Sequence, residues 1–177
     1  MGIDQLIEIY YLSTAPYFQV DSSKRIRFSS VDFDKKNWNY LKNLIHLTFE
    51  DEEKIDCTFI IGHIINNKKI YHKIGLGKFF DINNWSEKII YEQDRGEEII
   101  FATVKNVSKN EIYKFVRAIT SCFIREVEIT FHSKHYLSYV NGDVLDIVSN
   151  DEKNIERIKK NISKLFVYEQ EEQEYLY

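Results

Sequence analysis

Residues 108–123, SKNEIYKFVRAITSCF, open the stretch that decides the fold, Ser108–Phe166. Ser108-Lys109-Asn110-Glu111 is a capping box: the Ser hydroxyl and the Glu carboxylate reciprocally satisfy free backbone N–H groups at a helix start. Ile112, Phe115, Val116, Ile119, Cys122 and Phe123 recur at helical spacing and form one apolar stripe. Val127, Ile129 and Phe131 alternate with Glu128, Thr130 and His132, the period of a half-buried strand. Asn141-Gly142 sits between Tyr136–Val140 and Val144–Val148 and reads as a hairpin turn, since both residues tolerate positive φ. Ser149-Asn150-Asp151-Glu152 repeats the capping box ahead of a helix with Ile155, Ile158, Ile162 and Leu165 inward.

Working outward, Ile3–Leu12 is apolar on both alternating faces and reads as a strand covered on two sides. Tyr17–Val20 and Arg25–Phe28 read as a second strand, broken at Asp21-Ser22-Ser23. Asp34 caps an expected helix with Trp38, Leu41, Ile45 and Phe49 inward. Glu50-Asp51-Glu52-Glu53 then belongs in a loop, because negative charge opposes the dipole at a helix C-terminus. Asp56–Ile65 and Ile70–Leu76 form a hairpin. A turn at Asn67-Lys68 would set Ile65 opposite Ile70 and His63 opposite His72, with Phe59, Ile61, Ile65, Ile70, Ile74 and Leu76 on one face. Lys88–Glu92 and Glu98–Val104 form another hairpin, with Gly96 supplying positive φ.

The fold class is therefore α+β: an antiparallel-rich sheet with helices near 35–49, 109–124 and 151–166. Strand, strand, helix, hairpin recurs over 1–77 and 87–140, the order of two similar ββαββ halves, although residue identity between them is negligible. Residues 1–168 are expected to form one domain, with a weak division near 78–87, followed by an acidic, aromatic tail at 169–177.

A chain of 177 residues supports one well-formed core, and 44% hydrophobic with 29% charged residues is ordinary for a globular protein. Cys57 and Cys122 read as small core residues rather than a disulfide framework. The start of the chain lacks a basic segment followed by an apolar run, and the richest apolar run, Phe59–Ile65, is far too short to span a membrane. A cytoplasmic protein is the expectation. The 24 basic and 28 acidic residues give a net charge of −4, all of it assignable to Glu169, Glu171, Glu172 and Glu174. No overall field points to nucleic acid or an anionic membrane.

Candidate chemistry is sparse. His63 and His72 lack a convincing third zinc ligand. His132-Ser133-Lys134-His135 reads as a hairpin turn with solvent-facing imidazoles. Asp143 and Asp146 are paired carboxylates of a kind that could serve a nuclease metal, but no Glu-x-Lys follows. Lys153, Arg157, Lys159, Lys160 and Lys164 make one helix basic, with Asp151, Glu152 and Glu156 offsetting them. There is no nucleophile elbow, phosphate loop or Cys-x-x-Cys.

Catalysis leaves a recognisable constellation, whereas a binding surface need not. The favoured expectation is a non-catalytic intracellular protein-binding module with no cofactor, similar in general character to inhibitors and toxin-immunity proteins. The alternatives are a metal-dependent hydrolase or nuclease, and a nucleic-acid or nucleotide-binding domain. Glu169, Glu171, Glu172, Glu174, Tyr175 and Tyr177 are the candidate partner-binding residues, suited to a basic protein surface: charge speeds encounter and tyrosines anchor.

Overall fold

A computed structural model describes residues 15–33, 37–92, 96–121 and 127–162. Its strands are β1 (Arg25–Ser29), β2 (Asp56–Ile65), β3 (Lys68–Tyr71), β4 (Trp85–Glu92), β5 (Glu97–Val104), β6 (Ile129–His132), β7 (Tyr136–Val140) and β8 (Val144–Ser149). Its helices are α1 (Trp38–Thr48), α2 (Lys109–Thr120) and α3 (Glu152–Ile162). All strands join one antiparallel sheet in the order β1-β8-β7-β6-β2-β5-β4, with β3 paired to β2. This is the α+β fold expected from the periodicity. β2, from the first stretch of the chain, lies between β5 and β6 of the second. Residues 1–14, which hold the expected strand Ile3–Leu12, and the tail 169–177 lie outside the described residues, as does the cap Asp34.

α2 begins as its capping box requires. Glu111 N–H donates to Ser108 Oγ at 3.3 Å, and Glu111 Oε2 accepts from Ser108 N at 2.8 Å. Glu111 Oε1 also accepts from Asp81 N at 2.8 Å, tying the loop before β4 to the helix start. Partial burial alone would raise the Glu111 pKa. The Ser108 hydroxyl, the Asp81 and Ser108 amides, and Lys114 outweigh it and hold the carboxyl below its ordinary value. A carboxyl depressed on folding adds stability that is fully present above its unfolded pKa and lost as pH falls through its folded pKa. Glu111→Gln should therefore cost about 1 kcal/mol near neutral pH. Its melting temperature should converge on that of the parent as the pH is lowered through the carboxylate range; parallel thermal melts check this.

α3 starts differently from the expected box. Asp151, not Ser149, caps it, with Oδ1 accepting from Lys153 N at 3.0 Å. Ser149 is buried, and its hydroxyl donates to His135 O at 2.8 Å and accepts from Asn154 Nδ2 at 2.9 Å. In the β7–β8 hairpin, positive φ is not used. The Asn141 side chain instead accepts from the amides of Asp143 and Val144 at 2.9 and 2.8 Å, an Asx-type turn.

The helices cover one face of the sheet. α1 packs between α2 and α3, and α3 rests on β1 and β8. Beneath them lie Phe28, Ile147, Val140, Phe131, Cys57 and Val104, all buried. Ile112, Phe115, Val116 and Ile119 of α2 pack into the same core, as do Leu41, Leu44, Ile45 and Phe49. Cys57 is fully buried, and burial pushes its thiol pKa well up, with Asp56 and Glu111 adding to the shift, so it is a packing residue.

The opposite face carries Ile99, Phe101, Leu137, Tyr139 and Val148, with Ala15 and Val20 against them. One register row across this face is entirely polar: Arg27, Asp146, Tyr139, Thr130, Thr58, Thr103 and Ser86. Arg27 holds Asp146 with two bonds, at 2.7 and 2.8 Å, and Thr58 Oγ1 meets Thr103 Oγ1 at 2.8 Å. Tyr17–Val20 is not a strand. Pro16–Gln19 forms a 3-10 turn that starts at the proline, and the Arg25 and Arg27 guanidiniums lie over the Tyr17 ring at 4.3 and 4.1 Å.

The β2–β3 hairpin also departs from the expected register. Its turn is Asn66-Asn67, both with positive φ (51° and 59°), so Ile65 pairs with Lys68 and His63 with Ile70. A bulge between Ile60 and Gly62 adds one residue, Ile61, and shifts the side-chain phase. Phe59 and Leu76 are buried as expected, whereas Ile65 and Ile70 are 53% and 47% exposed. The close backbone approach falls at Gly62, where a Cβ would meet the Ile70 carbonyl oxygen; Gly75 serves its left-handed φ of 72°.

Candidate functional site

Beyond the helices, β3, β2, β5 and β4 form an arm of the sheet. One register row of its helix-side face reads Tyr71, Gly62, Ile100 and Ile89. The Tyr71 hydroxyl donates to Glu87 Oε1 at 3.1 Å, and Lys69 Nζ reaches Glu87 Oε2 at 3.1 Å. Both cross from β3 to β4 over two intervening strands, so the arm curls toward this face, and at Gly62 the β3 backbone at Ile70 and Tyr71 takes the space a side chain would fill. Ile100 is fully buried beneath. Trp85 (50% exposed), Ile89 (43%) and Tyr91 (57%) follow along β4, and Tyr71 (51%) reaches Glu87 from β3. Alternation along β4 puts Trp85, Glu87, Ile89 and Tyr91 on one face. β4 ends the sheet, and among the described residues no strand pairs with its outer edge.

A second feature is a polar cleft of about 880 Å³ lined by Asp21, Lys24, Glu52, His135, Asp151 and Arg157, among others. Glu52, with a side chain only 5% exposed, accepts or shares a hydrogen bond with His135 Nδ1 at 2.8 Å. Arg157 of α3 donates to Glu50 Oε2 at 2.9 Å, Asp51 Oδ2 at 3.3 Å, Leu47 O at 3.0 Å and the Tyr136 hydroxyl at 3.1 Å. A cation at Leu47 O sits at the C-terminus of α1, where the dipole favours it. The acidic run Glu50–Glu53 does leave the helix as a loop, and Arg157 neutralises its start. A buried carboxylate orienting an imidazole is the back half of a general-base arrangement. Among the described residues no hydroxyl or thiol hydrogen-bonds that imidazole, so the front half is not assembled.

The residues singled out by sequence are dispersed. His63 and His72 rings lie 5.1 Å apart, brought there by His72 N donating to Ile61 O at 2.8 Å rather than by direct pairing. Glu97 approaches His63 Nδ1 at 4.0 Å. No group of three His, Cys, Asp or Glu among the described residues is placed to hold a metal. Asp146 is fully buried against Arg27, whereas Asp143 is exposed in the turn, so the two do not make a paired site. The imidazoles of His132 and His135 are not simply solvent-facing: His132 Nε2 meets Thr58 Oγ1 at 2.9 Å, and His135 meets Glu52. Arg157 turns from the basic helix onto the α1 loop, which removes it from any continuous cationic stripe. Lys164 and the tail residues Glu169, Glu171, Glu172, Glu174, Tyr175 and Tyr177 lie outside the described residues. Sequence reading missed the Trp85–Tyr91 face, whose signal was the apolar, aromatic alternation beginning at Trp85 rather than Lys88.

No helix among the described residues is long and apolar enough to cross a membrane. No protein-family model, curated protein or solved structure matches the chain.

Proposed function

We propose that the chain is a non-catalytic, intracellular protein-binding module of inhibitor or toxin-immunity character, which takes its partner on the curled β3–β4 arm. One observation supports this reading most: Trp85, Ile89 and Tyr91 of β4 and Tyr71 of β3 are each about half exposed on one face of the arm. Aromatic side chains held rigidly by a sheet give large contact area at low entropic cost, and such residues dominate binding energy at protein interfaces. The acidic tail suits a basic surface on the partner, which it would steer into place. The competing reading, a hydrolase, draws on the Glu52–His135 pair.

The test begins with capture of a partner from the source cells by the full chain, followed by calorimetry with the purified partner. The variant Trp85→Ser/Ile89→Ser/Tyr91→Ser should bind at least about 100-fold more weakly, since each anchor contributes roughly 1–2 kcal/mol. Removal of residues 169–177 should slow association at low salt by about tenfold and leave dissociation unchanged. Unchanged affinity in the triple variant would remove the arm from the interface.

A further inference from the structure

The polar cleft lies away from the curled arm. Its walls come from the other end of the sheet: the 3-10 turn before β1, the loop after α1, the β6–β7 turn and the start of α3. Asp21, Asp51, Glu52, Asp151 and Glu152 line it, against two cations, Lys24 and Arg157. Arg157 is already engaged by Glu50 and Asp51, at 2.9 and 3.3 Å. Asp21, Glu52, Asp151 and Glu152 therefore face the single amine of Lys24. A concave wall with such an excess of one sign focuses the field that attracts the other.

Glu52 is the group that points to a ligand. Its side chain is only 5% exposed, and Oε1 is bonded to His135 Nδ1 at 2.8 Å. Oε2 has no hydrogen-bond partner among the described residues. A carboxylate buried this deeply costs free energy unless both oxygens find donors. Because an ionised carboxylate only accepts, Glu52 keeps a proton on His135 Nδ1, and Nε2 of the neutral ring is then a second acceptor. These acceptors do not converge on a point. Among the described residues no three His, Cys, Asp or Glu are placed to hold one metal ion, and the four carboxylates sit on three separate elements. A ligand that satisfies them carries several cationic donors along an extended body. The volume of about 880 Å³ is that of a small-molecule site, far more than a lone ion fills.

We propose that this cleft binds a small organic polycation, a molecule with two or more protonated amines such as a linear polyamine. One ammonium donates to Glu52 and His135, and another lies against Asp151 and Glu152 at the start of α3. The site goes beyond the protein-binding reading above and does not depend on it.

Calorimetry of the full chain with spermidine at low salt tests this. The expected result is one site with a Kd of about 10–100 μM. Glu52→Gln keeps an acceptor for His135 but loses the charge, and should weaken binding at least about tenfold. Asp151→Asn still caps α3 and should weaken it about threefold. Glu156→Gln removes the same charge from the exposed side of α3, outside the cleft, and should change the Kd by less than about twofold. Melting temperatures confirm that each variant is folded. Butylamine, with one ammonium, should bind at least about tenfold more weakly than spermidine. No saturable binding of spermidine up to about 5 mM would overturn the proposal. Equal weakening by Glu156→Gln and Glu52→Gln would overturn it in favour of diffuse attraction to an acidic surface. Magnesium bound as tightly as spermidine, and lost in Glu52→Gln, would overturn it in favour of a metal.

Discussion

Ile119→Asp is expected to abolish the cooperative melt. Ile119 is 2% exposed and lies on the inward stripe of α2, in the core that also holds Phe115, Phe131 and Leu44. The Phe115 ring on that stripe meets Phe79, Phe80 and Phe131 at centroid distances of 5.6, 5.3 and 6.0 Å. An aspartate at Ile119 would be placed among apolar side chains and away from water. Burying that charge, together with the lost apolar contact, should cost more than about 4 kcal/mol. A domain of this kind is stable by only about 5–15 kcal/mol in total. Lys114→Asp, on the exposed side of the same helix, should change stability by no more than about 1 kcal/mol, chiefly through its neighbour Glu111. Urea unfolding of the two variants checks the orientation of α2; equal midpoints would show that the helix faces the other way.

Arg27→Met should be nearly as damaging, for an electrostatic reason. Asp146 is fully buried on β8, and Arg27 of the neighbouring edge strand β1 reaches it with two short bonds while its own side chain stays 24% exposed. Removing the guanidinium leaves a buried carboxylate without its strongest counter-charge, a loss of roughly 3–5 kcal/mol. The same change removes the cation that holds the Tyr17 and Phe18 rings, at 4.1 and 4.8 Å. Arg27→Met/Asp146→Leu should recover part of the loss, because a well-packed apolar pair replaces a buried ion pair at little net cost. Urea midpoints for the single and double variants read this directly. A double variant less stable than the single would show that Asp146 is held by other groups.

Local chemistry made the helices readable. Ser108 and Glu111 announce α2 through a box whose reciprocal bonds form as expected, and the stripe Ile112–Ile119 names its buried side correctly. Asn141-Gly142 marks its hairpin, though the Asn side chain rather than positive φ closes it. Where the reading slipped, two local solutions were nearly equivalent. Asn66, Asn67 and Lys68 offer two overlapping two-residue turns, and the asparagine pair, which accepts left-handed backbone most readily, takes the turn. Ser149 and Asp151 could both cap α3; Ser149 is drawn instead to His135 O. The bulge at Ile61 carries no composition signal, yet it moves Ile65 and Ile70 out of the core. The candidate site was less legible still. Nothing in Trp85–Glu92 shows that it ends the sheet among the described residues, because strand order follows from pairing between distant segments. Glu52, His135 and Arg157 meet only after α1, β6–β7 and α3 have packed.

Amide hydrogen exchange along Trp85–Glu92 tests the central claim, that the β4 side of the sheet is the interaction surface, most directly. It should be followed in the dilute free chain and in complex with the captured partner. The account predicts that protection in the complex rises at Trp85–Glu92 and at Lys68–Tyr71, while α3 and the Glu52–His135 cleft stay unchanged. Protection gained at the cleft and none along β4 would contradict it.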